Sequence, residues 1–212
     1  MSTATDTIRD FWSGRASVDG HVASRFHSEH DRYDLPAIAT YCAPGARILD
    51  LGCGTCSVAN AIVENTAASV HAVDYVEDFL ANAIDDPRLT TEAADVRSYR
   101  RDATFDAVLL LGVITYIEDP GARTELYRNC AAMLPAGGAL FVKAQFGVAD
   151  EVLVDTWSEA LGARYRAIYP TIAGEVALLE AAGFSVEVRD PYPAELSPHA
   201  NTHFHHLVAT RR

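Results

Sequence analysis

The sequence predicts an α/β protein with a Rossmann-like, doubly wound, mainly parallel seven-stranded sheet that ends in an antiparallel C-terminal hairpin. Apolar strand-like segments alternate with helical segments through the middle of the chain, and a glycine turn follows the first of them. The last two apolar segments are joined by a loop too short for a helix. The 212 residues can bury one substantial core, so we predict a single domain over residues 1–212.

Residues 1–43 are predicted to form an N-terminal helical cap. Val18, Val22 and Phe26 are spaced four residues apart, which places them on one face of a helix. An apolar helical face has to be buried against another element. We therefore expect the cap to pack on the sheet domain.

Residues 44–146 are predicted to form the central core. Its strands should be parallel, because helical segments separate them. The last of these helices begins at Pro120, a favourable first helical residue, and stops at the Pro-Ala-Gly-Gly sequence that begins at Pro135. The expected strands are Arg47–Gly52, Ser69–Asp74, Leu89–Ala94, Phe105–Leu111 and Ala139–Phe146, and the expected helices are Ser57–Asn65, Val76–Ile84 and Pro120–Leu134.

Residues 147–212 are predicted to contain lid helices and the C-terminal hairpin. The segment Trp157–Tyr169 is expected to be a lid element or a surface helix, and a further helix is expected over Thr171–Ala182. Strands are predicted at Phe184–Asp190 and His203–Thr210. The short proline-rich loop between these strands has no room for a crossover helix, so they must pair antiparallel.

The composition favours a small-molecule ligand. The formal net charge is −12, from 29 acidic and 17 basic side chains, and Lys143 is the single lysine. Nucleic acids and anionic membranes need clustered Lys or Arg, so neither is an expected partner. We expect a cytoplasmic protein, because no signal peptide is visible and no apolar run approaches the roughly 20 residues that span a bilayer.

The run Ile48–Ser57 is the most informative local feature. An apolar strand, a Gly-x-Gly turn and a helix start follow one another, which lets a ligand approach the backbone. Ser57 replaces the third glycine of the dinucleotide motif. Asp74 predicts a ribose contact for either cofactor. Asp50 and Asp95 at strand ends would repel a pyrophosphate but suit an ammonium and a sulfonium, which favours S-adenosylmethionine over NAD.

Cys53 and Cys56 leave a second interpretation open. A Cys-x-x-Cys pair at a helix N-terminus is typical of redox sites, because thiol pKa values fall there. A zinc site would need a second pair with suitable spacing, which Cys42 and Cys130 do not provide. We interpret Cys53 and Cys56 as small turn residues.

The sequence Asp50-Leu51-Gly52-Cys53-Gly54-Thr55 resembles the glycine motif of class I S-adenosylmethionine-dependent methyltransferases. Several such motifs in the right order are more specific than one glycine loop. The family usually has glycine where this chain has Cys56. The resemblance extends from about Ala46 to Gly138 and includes Val73-Asp74, Ala94-Asp95-Val96, Phe105-Asp106-Ala107-Val108 and Leu134-Pro135-Ala136-Gly137-Gly138.

The resemblance implies S-adenosylmethionine as the cofactor. The backbone of the glycine turn would hold the methionine part, with Asp50 near its ammonium group. Asp74 would bind the ribose hydroxyls, and Asp95 with Val96 would border the adenine. Main chain at the end of the fourth strand would lie beside the methionine. The expected cofactor-binding residues are Asp50, Gly52, Cys53, Gly54, Asp74, Tyr75, Asp95, Val96 and Leu111.

The acceptor side offers three candidate catalytic residues. Methyl transfer needs mainly the alignment of nucleophile, methyl and sulfur, and it needs a base only if the acceptor arrives protonated. Tyr116 stands where many relatives place a histidine, and it could orient the acceptor or act as an acid or base. His27 flanks the apolar stripe of the cap, and His206 lies in the last strand. We expect no metal; the alternative is a composite site of His27, His30 and a C-terminal histidine.

Two further groups of residues are candidates for lining the acceptor pocket. The cap contributes Trp12, Arg15, Arg25 and Tyr33. The predicted lid contributes two tyrosines and two arginines that could recognise an anionic substrate, namely Arg164, Tyr165, Arg166 and Tyr169.

We therefore predict methyl transfer from S-adenosylmethionine to an O or N nucleophile of a small molecule, by in-line displacement. One alternative is an NAD-dependent oxidoreductase with a degenerate glycine motif. Another is a non-catalytic nucleoside- or S-adenosylmethionine-binding module whose cap binds a partner.

Overall fold

The computed structural model describes residues 4–20, 28–159, 161–197 and 199–212. In these ranges the α-helices are α1 Ala4–Asp19, α2 Asp31–Ala39, α3 Ser57–Asn65, α4 Glu77–Leu80, α5 Pro120–Ala132 and α6 Ile172–Ala181. The strands are β1 Arg47–Leu51, β2 Ser69–Asp74, β3 Leu89–Ala93, β4 Ala107–Leu111, β5 Ala139–Gly147, β6 Val152–Ser158, β7 Ala163–Tyr169, β8 Phe184–Arg189 and β9 Thr202–Arg211.

Seven strands form one sheet in the order β3-β2-β1-β4-β5-β9-β8. The pairings among β1 to β5 are parallel, whereas β9 is antiparallel to both β5 and β8. The predicted fold class is therefore confirmed, including the antiparallel C-terminal hairpin. The hairpin does more than extend the edge, because β9 inserts between β5 and β8.

Helices cover both faces of the sheet, which explains the nearly continuous apolar strands. On one face, Leu49 and Val108 pack in a core that includes Leu126 of α5 and Leu179 of α6. On the other face, neighbouring strand residues such as Ile48, Val70 and Leu109 pack in a core that includes Ala59 and Ile62 of α3.

The carboxyl ends of the parallel strands meet at one edge of the sheet. β1 pairs with β2 on one side and with β4 on the other, so the direction of winding changes at β1. Ligands of doubly wound sheets bind in the crevice at this switch point. Asp50 and Asp74 end up at this edge because they lie at or near the ends of β1 and β2.

The predicted lid helix over Trp157–Tyr169 is wrong. β6 and β7 instead form a separate two-stranded antiparallel sheet, with Val152 opposite Tyr169 and Ser158 opposite Ala163. The reason is local: both segments are rich in β-branched and aromatic residues. Gly162, with a φ of +57°, supplies the left-handed residue in the connecting turn. Further along, α6 is a helix as expected and is capped by Thr171, whose hydroxyl accepts from the Gly174 amide.

The described parts of the cap contain the helices α1 and α2, and α1 is buried through residues other than Val18. Val18 is 68% exposed, and Val22 and Phe26 lie outside the described residues. The buried face of α1 consists of Ile8, Phe11, Trp12 and Ala16, which have helical spacing, and it packs with Val76 and Phe79 near α4. The helix expected at Val76–Ile84 is also shorter, since α4 ends at Leu80.

No helix in the described ranges is both long and apolar enough to cross a membrane.

Candidate cofactor and acceptor site

The carboxyl edge of the parallel strands opens into a cavity of about 1140 Å³. Residues of four neighbouring strands line it, among them Asp50, Asp74, Leu111 and Lys143. Trp12 of α1 and Tyr165 of β7 line it from the cap and the β6–β7 hairpin. Pockets for one drug-sized ligand usually span about 300–1,000 Å³. This cavity therefore has room for a nucleoside-sized ligand and a second small molecule.

The glycine turn between β1 and α3 is built so that backbone faces the cavity. Gly52 and Gly54 have φ angles of +76° and +52°, in the left-handed region that favours glycine. A Cβ atom on Gly52 would lie 2.4 Å from Cγ2 of Val113. Only glycine at position 52 lets the turn and the residues after β4 approach this closely.

Cys56 is the one non-glycine residue with positive φ in the described part of the chain, at +56°. It is fully buried and forms the N-cap of α3. A side chain in this conformation is strained, which gives a physical reason for the family's glycine at this position. Cysteine is small enough to be accommodated in the buried turn.

The two cysteine thiols of the turn lie close together, with their Sγ atoms 3.7 Å apart. The hydrogen bond with Cys56 and burial raise the pKa of the Cys53 thiol well above its ordinary value, and Asp50 and Asp74 raise it further. Redox cysteines at helix N-termini have lowered pKa values. The electrostatics of the turn therefore argue against the redox interpretation.

Asp50 is the most unusual group at the site. Its side chain is 1% exposed, and neither carboxylate oxygen has a hydrogen-bond partner among the described residues. Burial, together with the nearby Asp74, raises the pKa of Asp50 to about 7. A buried carboxylate without a partner is costly, so its position at a cavity wall suits a cationic ligand group.

Asp74 connects the glycine turn to the end of β2. Its Oδ2 accepts from the Gly54 amide and its Oδ1 from the Val76 amide, both at 2.9 Å. Burial raises the pKa of Asp74, while these backbone hydrogen bonds act in the opposite direction. Each carboxylate oxygen can accept more than one hydrogen bond, so Asp74 can both fix the turn and accept from ribose hydroxyls.

Tyr75, Asp95 and Val96 line the cavity where β2 and β3 end. The Arg97 side chain and backbone amide donate to the Asp95 carboxylate, which lowers its pKa. The Arg9 guanidinium of α1 lies 5.9 Å from the centre of the Tyr75 ring. The predicted cofactor residues are thus brought to one side of the cavity, together with arginines that the prediction did not include.

Lys143 and Asp34 form a charged pair that the sequence analysis missed. Lys143 lies opposite Leu111, and its carbonyl accepts from the Gly112 amide at 2.9 Å. Its Nζ lies 2.9 Å from Oδ2 of Asp34, a buried residue of α2, and both residues line the cavity. One signal was available in the sequence: the single lysine occurs within a predicted, otherwise largely apolar core strand.

His206 lies behind this pair and is not among the residues that line the cavity. Its Nε2 is 2.8 Å from Oδ1 of Asp34, and the Tyr192 hydroxyl contacts both side chains. Hydrogen bonds from His206 and Lys143 lower the pKa of Asp34 against the effect of burial. His206 therefore holds Asp34 in place. The candidate His27 lies outside the described residues, so the structure does not bring it to the site.

Tyr116 does line the cavity, in contact with both covering elements. Its ring is 5.4 Å from that of Trp12, edge to face, and its hydroxyl is 3.5 Å from that of Tyr165. Phe11 adds a ring contact to Tyr165 at 5.0 Å. Burial raises the pKa of the Tyr116 hydroxyl, which favours its protonated form.

The other cap and lid candidates divide into lining and non-lining residues. Arg15 lines the cavity and pairs with Asp19 at 2.8 Å, and Tyr169 lines it from β7. Arg164 and Arg166 pair with carboxylates of Asp155 and Glu118 instead, and they do not line the cavity. The remaining candidates also lie elsewhere: Tyr33 packs against Tyr192, and Arg25 is outside the described residues.

Comparison with known proteins identifies similar sequences and folds. A family model for a methyltransferase domain matches residues 48–138. A ubiquinone biosynthesis O-methyltransferase of Xanthomonas campestris pv. campestris (strain B100) is 32% identical over 110 residues, which are 47% of this chain and 43% of that relative. The chain thus spans less than half of the length of this curated relative.

Two solved structures share the fold along most of the chain. The DhpI-SAM-HEP complex is 16% identical with a TM-score of 0.77, and the match covers 99% of both chains. The [4+2]-cyclase SpnF is 20% identical with a TM-score of 0.67, over 85% of this chain and 81% of that one. These similarities concern the fold. The matched methyltransferase-domain model covers residues 48–138, which include the glycine turn, and it supports the resemblance to class I S-adenosylmethionine-dependent methyltransferases.

Proposed function

We propose that this protein transfers the methyl group of S-adenosylmethionine to an O or N nucleophile of a small molecule by in-line displacement. The observation that carries the proposal is the unpartnered Asp50 carboxylate at the cavity wall. It suits a ligand that brings a positive charge to the glycine turn, as the ammonium group of S-adenosylmethionine does. A dinucleotide would bring a pyrophosphate there, which the carboxylate would repel.

The cofactor would be held by residues of the first half of the core. We assign the methionine part to Asp50 and the backbone of Gly52, Cys53 and Gly54, with Leu111 beside it. Asp74 would accept from the ribose hydroxyls, and Tyr75, Asp95 and Val96 would surround the adenine. S-adenosylmethionine, when bound, supplies a methyl group on a positively charged sulfur that is already activated for displacement.

The acceptor would lie on the other side, between the end of β5 and the covering aromatic residues. Lys143 and Asp34 offer a donor and an acceptor there, and Tyr116 and Tyr165 offer hydroxyl groups. Because the pKa of Tyr116 is raised, we assign it an orienting role and no role as a base. We assign His206 a positioning role through Asp34. Alignment under a water-excluding cover would then supply most of the acceleration.

A small-molecule acceptor fits the covered cavity. Helix α1 and the β6–β7 hairpin both contribute lining residues, so an acceptor has to fit beneath them. The curated relative is named as a methyltransferase of ubiquinone biosynthesis, and DhpI is described with SAM and HEP. The cysteines of this chain are free, which suits a reducing compartment such as the cytoplasm.

The same fold is found in the [4+2]-cyclase SpnF, so the test must separate binding from methyl transfer. Calorimetry with S-adenosylmethionine, S-adenosylhomocysteine and NADH tests the cofactor. We expect the first two to bind and NADH not to bind. Incubation with methyl-labelled S-adenosylmethionine and a panel of phenols, enols, amines and carboxylic acids tests the reaction. Binding of NADH alone would refute the proposal, and tight binding with no labelled product across the panel would favour a binding module.

A further inference from the structure

A second group of chemically competent side chains lies at the far edge of the sheet, outside the cavity lining. Asp190 follows β8 directly, and His203 and His205 are two residues apart on β9, so both histidines point to the same face of the sheet. Arg189 is paired with His206 in the antiparallel register, which brings the next residue, Asp190, beside His205. The topology thus gathers one carboxylate and two imidazoles from the two strands of the C-terminal hairpin.

The potential ligand atoms of the three residues lie within 4.8 Å of one another. Nε2 of His203 is 2.7 Å from Oδ1 of Asp190, and Nε2 of His205 is 3.9 Å from Oδ2. Two ligands of a tetrahedral zinc ion with bonds of about 2.0–2.1 Å lie about 3.4 Å apart. The two distances from Asp190 to the histidines, 2.7 and 3.9 Å, lie on either side of this value. The Asp190 side chain is 57% exposed, so it has room to rotate toward a bound ion.

The surroundings hold the two imidazoles in place. Ser197 Oγ is 2.6 Å from Nδ1 of His203, which leaves the Nε2 of that ring directed at Asp190. The His205 ring lies edge-on to Phe146 of the neighbouring strand, at 6.1 Å. Their side chains are only 18% and 14% exposed, so both rings are largely fixed by packing. A hydrogen bond at the other ring nitrogen, as His203 makes with Ser197, is typical of metal-binding histidines.

We propose that Asp190, His203 and His205 form a binding site for a divalent transition-metal ion, of which Zn²⁺ is the representative. Two imidazole nitrogens and one carboxylate are typical zinc ligands, and the exposed side of Asp190 leaves room for water as a fourth. Mg²⁺ and Ca²⁺ prefer sites made of oxygen atoms and are excluded by the two histidines. The binding site is separate from the proposed methyl-transfer cavity and does not depend on it.

A bound metal ion would cross-link the two strands of the C-terminal hairpin. The chain between Asp190 and His203 includes Tyr192, whose hydroxyl contacts Asp34 at the cavity wall. A metal ion that joins the two ends of this segment stabilises the folded protein by mass action and restrains the segment. This predicts a metal-dependent increase in the melting temperature, which a purely structural hydrogen bond from His203 to Asp190 does not produce.

Isothermal titration of Zn²⁺ into the full chain, with purification tags removed and after treatment with a chelator, tests the site. We expect saturable binding of one ion per chain, a higher melting temperature and no binding of Mg²⁺. His203→Ala and His205→Ala should each weaken Zn²⁺ affinity by at least about tenfold. Asp190→Asn changes an exposed residue, so it should keep the fold while it weakens binding.

His199→Ala is the matched control, because it removes an exposed histidine from the same segment and none of the three ligands. Its Zn²⁺ affinity should equal that of the unchanged protein. Circular dichroism of each variant separates loss of the ligand from loss of the fold. The proposal is overturned if the unchanged protein shows no saturable Zn²⁺ binding, or if folded Asp190→Asn, His203→Ala and His205→Ala variants all bind as it does.

Discussion

The two sides of the cavity are built in different ways. The cofactor side, defined by the glycine turn and the ends of β1, β2 and β3, consists mainly of backbone and of carboxylates at strand ends. The acceptor side, defined by Lys143, Asp34, Tyr116, Tyr165 and Trp12, consists of side chains from five separate segments. The first side is set by one stretch of parallel β-α-β structure, whereas the second exists only once the cap, the β6–β7 hairpin and β9 have packed.

This difference predicts that changes on the acceptor side affect folding more than cofactor binding. The largest effect is expected for Lys143→Met, which leaves the buried Asp34 without its cationic partner. Removing one partner of a buried ion pair typically costs about 3–5 kcal/mol. Denaturant unfolding should show a loss of this order, while calorimetry of the remaining folded protein should show nearly unchanged S-adenosylmethionine affinity.

The double variant Lys143→Met, Asp34→Asn is the control for this prediction. It removes both charges, so it should recover much of the lost stability. If the double variant recovers no stability, the broken Lys143–Asp34 ion pair is not the cause of the destabilisation. A large loss of cofactor affinity in either variant would contradict the division of the cavity into two sides.

On the cofactor side, Asp50→Asn should change stability and binding in opposite directions. The folded-state pKa of Asp50, about 7, lies above the ordinary value of 3.8. The folded state therefore binds more protons between these values, and its stability falls as pH rises from about 4 to 7. Asparagine does not ionise, so the variant avoids this fall in stability. Without ligand at pH 8, Asp50→Asn should therefore be more stable than the unchanged protein by on the order of 2–4 kcal/mol.

The same Asp50→Asn change should weaken S-adenosylmethionine binding, because it removes the carboxylate that we assign to the ammonium group. Cofactor affinity of the unchanged protein should also decline as pH falls below about 7, where Asp50 becomes protonated. Unfolding and calorimetry across pH 5 to 9 check both statements. A variant that binds the cofactor as well as the unchanged protein at pH 8 would refute the assignment of Asp50.

Asp74→Ala should have a smaller but specific effect. It removes the acceptor for the Gly54 and Val76 amides as well as the proposed ribose contact. We expect a loss of S-adenosylmethionine affinity of about 10- to 100-fold, equal to about 1.4–2.7 kcal/mol. Asp74→Asn is the informative companion variant. Its side chain has a single oxygen, which can accept from only some of the Gly54 amide, the Val76 amide and the ribose hydroxyls. Unchanged affinity in the alanine variant would exclude Asp74 from the cofactor site.

The smallest effect concerns Cys56, the residue with a left-handed backbone at the helix start. Cys56→Gly relieves the strain at φ +56°, whereas Cys56→Ala keeps it; both remove the thiol. The glycine variant should therefore be more stable than the alanine variant by about 1 kcal/mol. Thermal unfolding of the pair measures the difference. Equal melting temperatures would show that the turn relaxes around the side chain.

The segments that were predicted well carry strong local signals. β1 is largely apolar and carries Asp50 near its end, just before the Gly-x-Gly turn. Thr171 and Gly183 bracket α6. The β6–β7 hairpin was missed because its mixed polar and aromatic residues also suited an exposed helix. The stripe predicted for the cap fails at Val18, which is 68% exposed, whereas Val22 and Phe26 lie outside the described residues.

By itself, the sequence determined the sheet, the glycine turn and the acidic strand ends, because these depend on neighbouring residues and on the period of apolar side chains. Only the tertiary structure decided the partners of the acceptor side. Asp34 and His206 are 172 positions apart, and no local sequence pattern indicates that they are in contact. Asp190 joins His203 and His205 for a similar reason, through the register of the last two strands. Contacts of this kind are fixed by packing, which no local pattern records.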